Sequence, residues 1–551
     1  MSRRRHAGLG GGGNHPPRHD AVVVGAGHNG LIAAAYLARA GRSVLVVERD
    51  EVPGGAVSTV ERFPGYRIDR GSSAHLMIRH SPIIDELELE NHGLRYIDCD
   101  PWGFAPATDS GPPLVFRTDL DATCASIAAA CSTADADAYR RFVGEWGPRS
   151  RAVLDAFNSP ATLPRFGRAF AGIGHTAHTA RTGVLGRRAG ALMAATQELM
   201  MSGDALLDRW FVSERLKAAL AWFGAQSGPP MNAPGTAPMV GFAALMHRIP
   251  PGRAVGGSGA LTEALLHRLD ADGARVLTGS PATAISRCGD HWRVQTAHED
   301  HCTEQVIAAC HIMATLDMID AGASVAPSVV ARWRREIDIG TGIGMAVRLG
   351  TSALPDYRDL PSGLPPHGVH SALGLLVTDR AQLRRAYAAA SVGDLPPRPA
   401  CVVMSYSAID PTLAPSNRHS ITVWAQWHPR HPREGGWSGS TAHAAADAIL
   451  TEVDRHAPGL RESVEHLHIQ TPADLESELG LIGGNIMHVE MTIDQMFTYR
   501  PHPDLAGHRV PGAEGLLLAG ASTHPGGGVT GASGRIAGRL AIDARRSRRR
   551  P

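Results

Sequence analysis

The sequence predicts an α/β protein: a discontinuous Rossmann-type dinucleotide domain with an inserted α+β domain that carries a helical cap. Three observations predict it. An apolar strand runs into Gly25-Ala-Gly27-His-Asn-Gly30 and then into a helix. Strand-rich sequence returns at 255–320 after a long helical stretch, and a second glycine run, AGASTHPGGGVTGASG at 519–534, follows another apolar strand. At 551 residues the chain exceeds what one simple core supports, so intertwined domains are expected.

The opening segment, residues 1–19, is basic and rich in Gly and Pro without an apolar stretch. It reads as a disordered leader, not a secretory signal. Ala21–Val24 is continuously apolar, as a strand covered on both faces must be. The helix LIAAAYLARAG ends at Gly41, and the strand SVLVVE ends at Glu48, 18 positions after Gly30. In such a βαβ unit Gly25 allows the tight turn, Gly27 lets a pyrophosphate approach, and Gly30 lets helix and strand touch. The helix N-terminus offers free N–H groups to the phosphates, and Glu48 accepts from the adenosine ribose. Gly54-Gly55 follows in RDEVPGGAVST, where a nicotinamide domain would continue into its next crossover helix. That glycine pair folds the chain back beside a flavin, and so points to a flavin dinucleotide.

Residues 85–250 read as largely helical and contain Arg165, Arg168, Arg181, Arg187 and Arg188. This stretch is a solvated helical cap, with a membrane-facing lid as the alternative. Gly256-Gly257-Ser258-Gly259 opens a helix, after which GARVLTGSPATAI, WRVQTA and QVIAACHIMAT return to strands. The glycines at 340, 342 and 344 imitate a nucleotide motif, but the third spacing is missing, and they read as structural within a strand. The expected division is a nucleotide domain of 20–85, 255–325 and 480–545, and a substrate domain with helical cap of 86–254 and 326–479. Residues 546–551 form a basic tail.

Composition excludes several chemistries. Formal net charge is +1, which gives no footprint for nucleic acid. Lys217 is the only lysine, so neither a P-loop nor a Schiff-base enzyme fits. Seven cysteines include no C-x-x-C pair, which argues against a redox dithiol and for a reduced, cytoplasmic compartment. The 28 histidines show no metal-ligand spacing, so no metal is expected. No apolar run approaches the roughly 18 residues of a spanning helix. Contact of basic segments with the inner membrane face stands as the alternative to a purely cytoplasmic life.

Several motifs resemble the phytoene desaturase-like flavoproteins of the amine-oxidase-type FAD superfamily. They are VVVGAGHNGLIAAAYLARAG, VVERDEVPGGAVS, PGYRIDRGSS, GGSGALTEAL, GGNIMHVEMTIDQMF, YRPHPDL and GLLLAGASTHPGGGVTGASG, and they span nearly the whole chain. The later ones look most like the branch of the pyridine nucleotide-disulfide oxidoreductase domain-containing proteins. The resemblance implies non-covalent FAD across a GR2-like domain assembled from separate segments. It implies hydride transfer between flavin and a bulky hydrophobic molecule: a polyene, a carotenoid-like compound or a secondary-metabolite intermediate. Desaturation, dehydrogenation or redox-triggered cyclisation in a biosynthetic pathway would follow. Ala56 stands where many amine-oxidase-type members carry Arg, and Ala521 where many FAD proteins place Asp. The second departure is shared by phytoene desaturase-like proteins.

The expected cofactor contacts are Gly25, Gly27, Asn29, Gly30, Glu48, Arg49, Gly54, Gly55, Ala56, Ala282, Gly520 and Ala521. Gly527, Gly528, Val529 and Thr530 are expected against the ring, with a helix starting near Val529 that stabilises charge on reduced flavin. Candidate acid/base residues are His524, His488, Glu490, Asp494 and His75, since histidine titrates near neutrality. His488 and Glu490, two apart on an expected strand, would share one face. NADPH stands as a candidate reductant, and the oligomeric state is not legible. A flavin amine oxidase and a non-catalytic flavin-fold binding protein are the competing readings.

Overall fold

The computed structural model describes residues 18–109, 111–162, 193, 196–340 and 342–548. The leader up to residue 17, the basic cap segment with Arg165, Arg168, Arg181, Arg187 and Arg188, and residues 549–551 lie outside them.

The first strand, Arg18–Val24, starts before the expected residue, and its apolar half is the centre of a seven-stranded sheet. It pairs in parallel with Val44–Val47 on one side and Asp300–Ala308 on the other. Val44–Val47 in turn pairs with Arg275–Leu277, and the end of Asp300–Ala308 pairs with Leu516–Leu518, again in parallel. Segments nearly 500 residues apart therefore share one sheet, as the discontinuous reading expects. The antiparallel strands Ala282–Cys288 and His291–Thr296 extend it from Asp300–Ala308.

Both faces are covered, which is why Ala21–Val24 has no polar alternation. On one face lie the helices His28–Arg39, Ala260–Ala271 and Ala532–Arg548, joined through Ile32, Leu37, Leu261, Leu265 and Ala537. Small residues bring the first and last of these together: a Cβ on Gly534 would stand 2.1 Å from the Asn29 carbonyl oxygen. The other face is closed by Trp292, Leu316, Val330 and Trp333. Helix Pro327–Glu336, which supplies Val330 and Trp333, thus packs on the nucleotide-side layer, so the division expected at 326 falls inside that layer. The last helix runs to Arg548, through the start of the expected tail.

A second seven-stranded sheet orders Val464–Gln470, Gly344–Thr351, His419–Gln426, Cys401–Met404, Leu373–Leu376, Gly103–Ala105 and Leu114–Phe116. Met345, Val347 and Leu349 pack with Ile421, Val423 and the helix Gly439–His456 on its outer face. Ala346 and Arg348 alternate to the inner face. Of the three glycines near 340, only Gly344 belongs to a strand. Gly342, with φ of 105°, sits where a side chain would meet the Arg430 backbone at 2.5 Å. Helices Thr133–Phe157 and Glu214–Ala225 roof the inner face with a core of Tyr139, Phe142, Trp146 and Trp222. Each such fully buried aromatic contributes roughly 1.5–3 kcal/mol in area removed from water.

Candidate active site: a crevice of two chambers

The parallel strands deliver their carboxyl ends to one place. Gly25, Glu48, Ala309 and Gly520, each one or two residues past a strand, line a cavity of about 550 Å³. A crevice at the strand ends of a doubly wound sheet is where such folds bind ligands. A second cavity of about 330 Å³ lies against the inner face of the other sheet. His28, Ala56, Leu481, His488 and Ala521 line both, so the two form one continuous crevice.

The first chamber is made of backbone. Gly27 begins the first helix with no side-chain cap, and a Cβ added there would meet nothing within 4 Å. The space above a helix N-terminus with its partial positive charge is thus kept open, which suits a diphosphate. The second glycine turn is tied to the first, with Gly54 N–H donating to the Ala26 carbonyl at 2.9 Å. Glu48 accepts from Ala26 N–H at 2.6 Å and from Asp50 N–H at 2.9 Å, which fixes its carboxylate at the chamber wall. Asn29, Arg49, Gly55 and Ala282 also line this chamber. Gly30 does not. A Cβ on it would stand 2.0 Å from the Gly25 carbonyl oxygen, so it permits helix and strand to touch. A dinucleotide such as FAD fits this set of donors, open glycines and the placed carboxylate of Glu48.

The second glycine run enters the apolar chamber with Gly527, Gly528 and Val529, beside Ala521 and Pro525. Gly528, Val529 and Gly531 all have positive φ (85°, 53° and 68°), so the helix starts at Ala532 rather than at Val529. Thr530 lies away from both chambers, and its hydroxyl accepts from Ala532 N–H at 3.3 Å to begin that helix. Asn29 joins the two ends, since its Oδ1 accepts from Gly534 N–H at 3.2 Å.

Of the acid/base candidates, only His488 lines the crevice. It stacks on His311 with ring centroids 5.3 Å apart, and the His311 Nε2–H donates to the His488 carbonyl at 3.0 Å. Burial holds His488 far below the ordinary imidazole range, and holds His28 and His311 at about 4. All three rings are therefore neutral at physiological pH. His488 does not share a strand face with Glu490. Residues 482–505 are short turns, and His488 itself has φ of 69°. Glu490 lines neither chamber; Asn485 donates to it at 3.2 Å, and burial raises its carboxyl to about 7. Asp494 sits in the turn Ile493–Gln495, also outside the lining.

His524 and His75 have other work. The His524 Nε2–H is shared by the carbonyls of Ala156 and Ser159, each at 3.2 Å, at the end of helix Thr133–Phe157. His75 bridges Tyr96 Oη at 2.7 Å and Ser258 Oγ at 2.9 Å. Both are fully buried beside the crevice but not in its wall, and burial lowers each to about 3.

Sequence reasoning missed two arginines. Arg500, fully buried, donates to the carbonyls of Met487, Val489, Glu490, Gln495 and Ala521. It thereby ties the turn carrying Met487 and His488 to the second glycine run. Arg348 projects from strand Gly344–Thr351 into the apolar chamber. The signal for Arg348 was present: one charge in the apolar alternation GMAVRLG.

Residues 23–87 match the NAD(P)-binding Rossmann-like domain. Over 563 residues the chain is 26% identical to phytoene dehydrogenase of Streptomyces griseus, covering 96% of this chain and 95% of that one. Putrescine oxidase bound to putrescine shares the fold, with a TM-score of 0.60 at 15% identity over 96% of this chain and 99% of that one. The chain is also 31% identical over 559 residues to pyridine nucleotide-disulfide oxidoreductase domain-containing protein 2 of Rattus norvegicus, covering 95% of this chain and 93% of that protein. With the glycine-lined crevice, that likeness along nearly the full length shows that the chain belongs to the phytoene desaturase-like oxidoreductases, in the branch of the pyridine nucleotide-disulfide oxidoreductase domain-containing proteins.

Proposed function

We propose that the protein is an FAD-dependent oxidoreductase that moves a hydride between the flavin and a bulky hydrophobic small molecule, by desaturation, dehydrogenation or redox-triggered cyclisation. The observation that carries this reading is the continuity of the crevice: a backbone-walled chamber suited to a dinucleotide opens directly into an apolar one. Bound FAD would supply the hydride acceptor or donor. Gly25, Gly27, Asn29, Glu48, Arg49, Gly54, Gly55, Ala56, Ala282, Gly520 and Ala521 would hold its nucleotide part, with Gly527, Gly528 and Val529 along the ring.

The chain's own residues then orient and exclude. Met77, Phe157, Phe242, Met487 and Met491 wall the second chamber with apolar surface and keep water out. The N-terminus of helix Ala532–Arg548 behind Gly528 favours negative charge developing against that loop. His488 is the one acid/base candidate with access to the reacting molecule. The relatives named phytoene dehydrogenase and hydroxyneurosporene desaturase favour a polyene-like substrate. A flavin amine oxidase is disfavoured because the one permanently charged side chain among the described lining residues of the second chamber is Arg348, which repels an ammonium ion. NADPH as reductant, a cytoplasmic location and contact with the inner membrane face complete the reading. No helix among the described residues is long and apolar enough to cross a membrane.

The test is a purification followed by anaerobic mixing. The protein should release one FAD per chain on denaturation, and a polyene or polyketide-type compound, not an amine, should bleach the flavin. A chain that binds no FAD even after reconstitution would sink the proposal.

A further inference from the structure

Among the described residues three arginines are wholly withdrawn from water, and the protein treats them differently. Arg253, 2% exposed, is paired with the Asp69 carboxylate. Arg500, 0% exposed, gives both terminal nitrogens to five main-chain carbonyls. Arg348, 1% exposed, has neither arrangement. Its guanidinium donates to Thr422 Oγ1 at 3.2 Å, Gln470 Oε1 at 2.9 Å and the Arg70 carbonyl at 3.0 Å, three partners, all of them neutral, and its Nε–H, like those of Arg253 and Arg500, has no acceptor.

The neighbouring carboxylates are committed elsewhere. Asp69 belongs to Arg253, Asp50 to Arg70 at 2.7 Å, and Glu478 to Arg62 at 3.2 Å. A buried cation without a counter-ion is costly, and burial lowers its proton affinity accordingly. The wall it stands in is otherwise uncharged: Ala346, Val402, Met404, Thr422 and Trp424 share the inner sheet face with it. A packing role for such a stem would be met by methionine, without the charge.

We propose that Arg348 receives the carboxylate of an amphipathic substrate, so that the molecule bound is a long apolar acid rather than a plain hydrocarbon. This deepens the proposed function and rests on the second chamber being its substrate site. The ligand supplies the missing counter-ion, and its chain fills the apolar remainder of the chamber. Arg348 is then a specificity-determining residue, and it rejects an amine of the same shape.

Calorimetric titration of the full chain, loaded with FAD, with oleate, oleyl alcohol and oleylamine tests this. Oleate should bind roughly tenfold to a hundredfold tighter than the alcohol, the gain of a charge-assisted hydrogen bond, and oleylamine weakest. Arg348→Met should bring oleate to the level of the alcohol, and Arg348→Lys should keep part of the preference. Oleate binding no tighter than the alcohol in the unaltered protein, absent binding included, overturns the proposal. So does a preference that survives Arg348→Met. The unaltered protein alone decides if the variants fail to fold. Absence of FAD would count against the oxidoreductase reading, whereas the acid preference, measured on the same chain without FAD, would still judge Arg348.

Discussion

The two chambers of the crevice are built by opposite means. The first is built largely around main chain: glycines at the ends of parallel strands, a bare helix N-terminus and the Glu48 carboxylate fixed by two N–H groups. The second is walled by side chains contributed from the inner sheet face, the helical roof and the turns after residue 480. A main-chain wall recognises what every dinucleotide has in common, and it tolerates little change, because a Cβ either meets backbone, as at Gly520, or stands in the open space, as at Gly27. A side-chain wall recognises a particular molecule and can be rebuilt residue by residue. The difference teaches how one dinucleotide chamber can be joined to different substrate walls, and the names of this chain's relatives do refer to different substrates.

The largest effect should come from Gly27→Val, which separates the two roles of the first motif. The site has room for the side chain and a φ of −63° that valine adopts, so the fold should survive. The side chain would stand in the space above the helix N-terminus. We expect FAD to bind roughly a hundredfold more weakly, the loss of about two charge-assisted hydrogen bonds. Gly30→Val, one helical turn on, should instead prevent folding, since its Cβ cannot coexist with the Gly25 carbonyl. Fluorescence titration with FAD and circular dichroism of both variants would check the contrast. Full FAD affinity in Gly27→Val would mean the open space serves something else.

This contrast also explains what was legible in the sequence. Gly25 to Glu48 lies within one βαβ unit, so spacing alone placed strand, helix and acid correctly. The run 519–534 was legible for the same reason, although three positive-φ residues delay its helix to Ala532. The acid/base candidates were not legible, because burial and partners decide a histidine's role. His524 and His488 look alike in sequence, yet one anchors a helix end and the other faces the crevice. His28 shows the limit within the motif itself. It occupies an unconstrained position of G-x-G-x-x-G, and only the meeting of the two chambers makes it a wall of both.

The second contrast is between Arg500 and Arg348. Removing the Arg500 guanidinium strands four carbonyls, several in the turn that carries His488, and leaves that of Met487 to the Val489 N–H alone. Each unsatisfied buried group costs about 1–3 kcal/mol, partly recovered as the turn relaxes toward water, so Arg500→Met should lose about 3 kcal/mol in urea unfolding. Arg348→Met likewise removes a buried cation without an ion-pair partner, but gives up three hydrogen bonds rather than five, so lost bonds and relieved desolvation should cancel to within about 1 kcal/mol. Equal losses for the two would show that both serve the fold alone.

The smallest effect distinguishes His524 from His488 by pH. Burial depresses the folded-state affinity of His524 for a proton to a pKa of about 3, against 6.5 for the unfolded chain. Above that unfolded value both states are neutral, and the residue adds no pH dependence. As the pH falls from 6.5 toward 4, the unfolded chain takes up a proton that the folded chain refuses, so stability declines by up to about 1.4 kcal/mol per pH unit from this residue. His28, His75 and His311 add to the same slope, because burial lowers each of them too. His524→Asn should therefore reduce the acid slope of unfolding free energy between pH 6 and 5 by close to one proton, whatever its effect on absolute stability. Turnover in His524→Asn at neutral pH should stay close to that of the unaltered protein, because the imidazole is spent on the Ala156 and Ser159 carbonyls. His488→Asn should flatten the acid slope in the same way and, unlike His524→Asn, shift the flavin absorbance as well, since its ring lines the crevice. A flavin spectrum that moves with His524 and not with His488 would reverse the assignment of which histidine faces the chemistry.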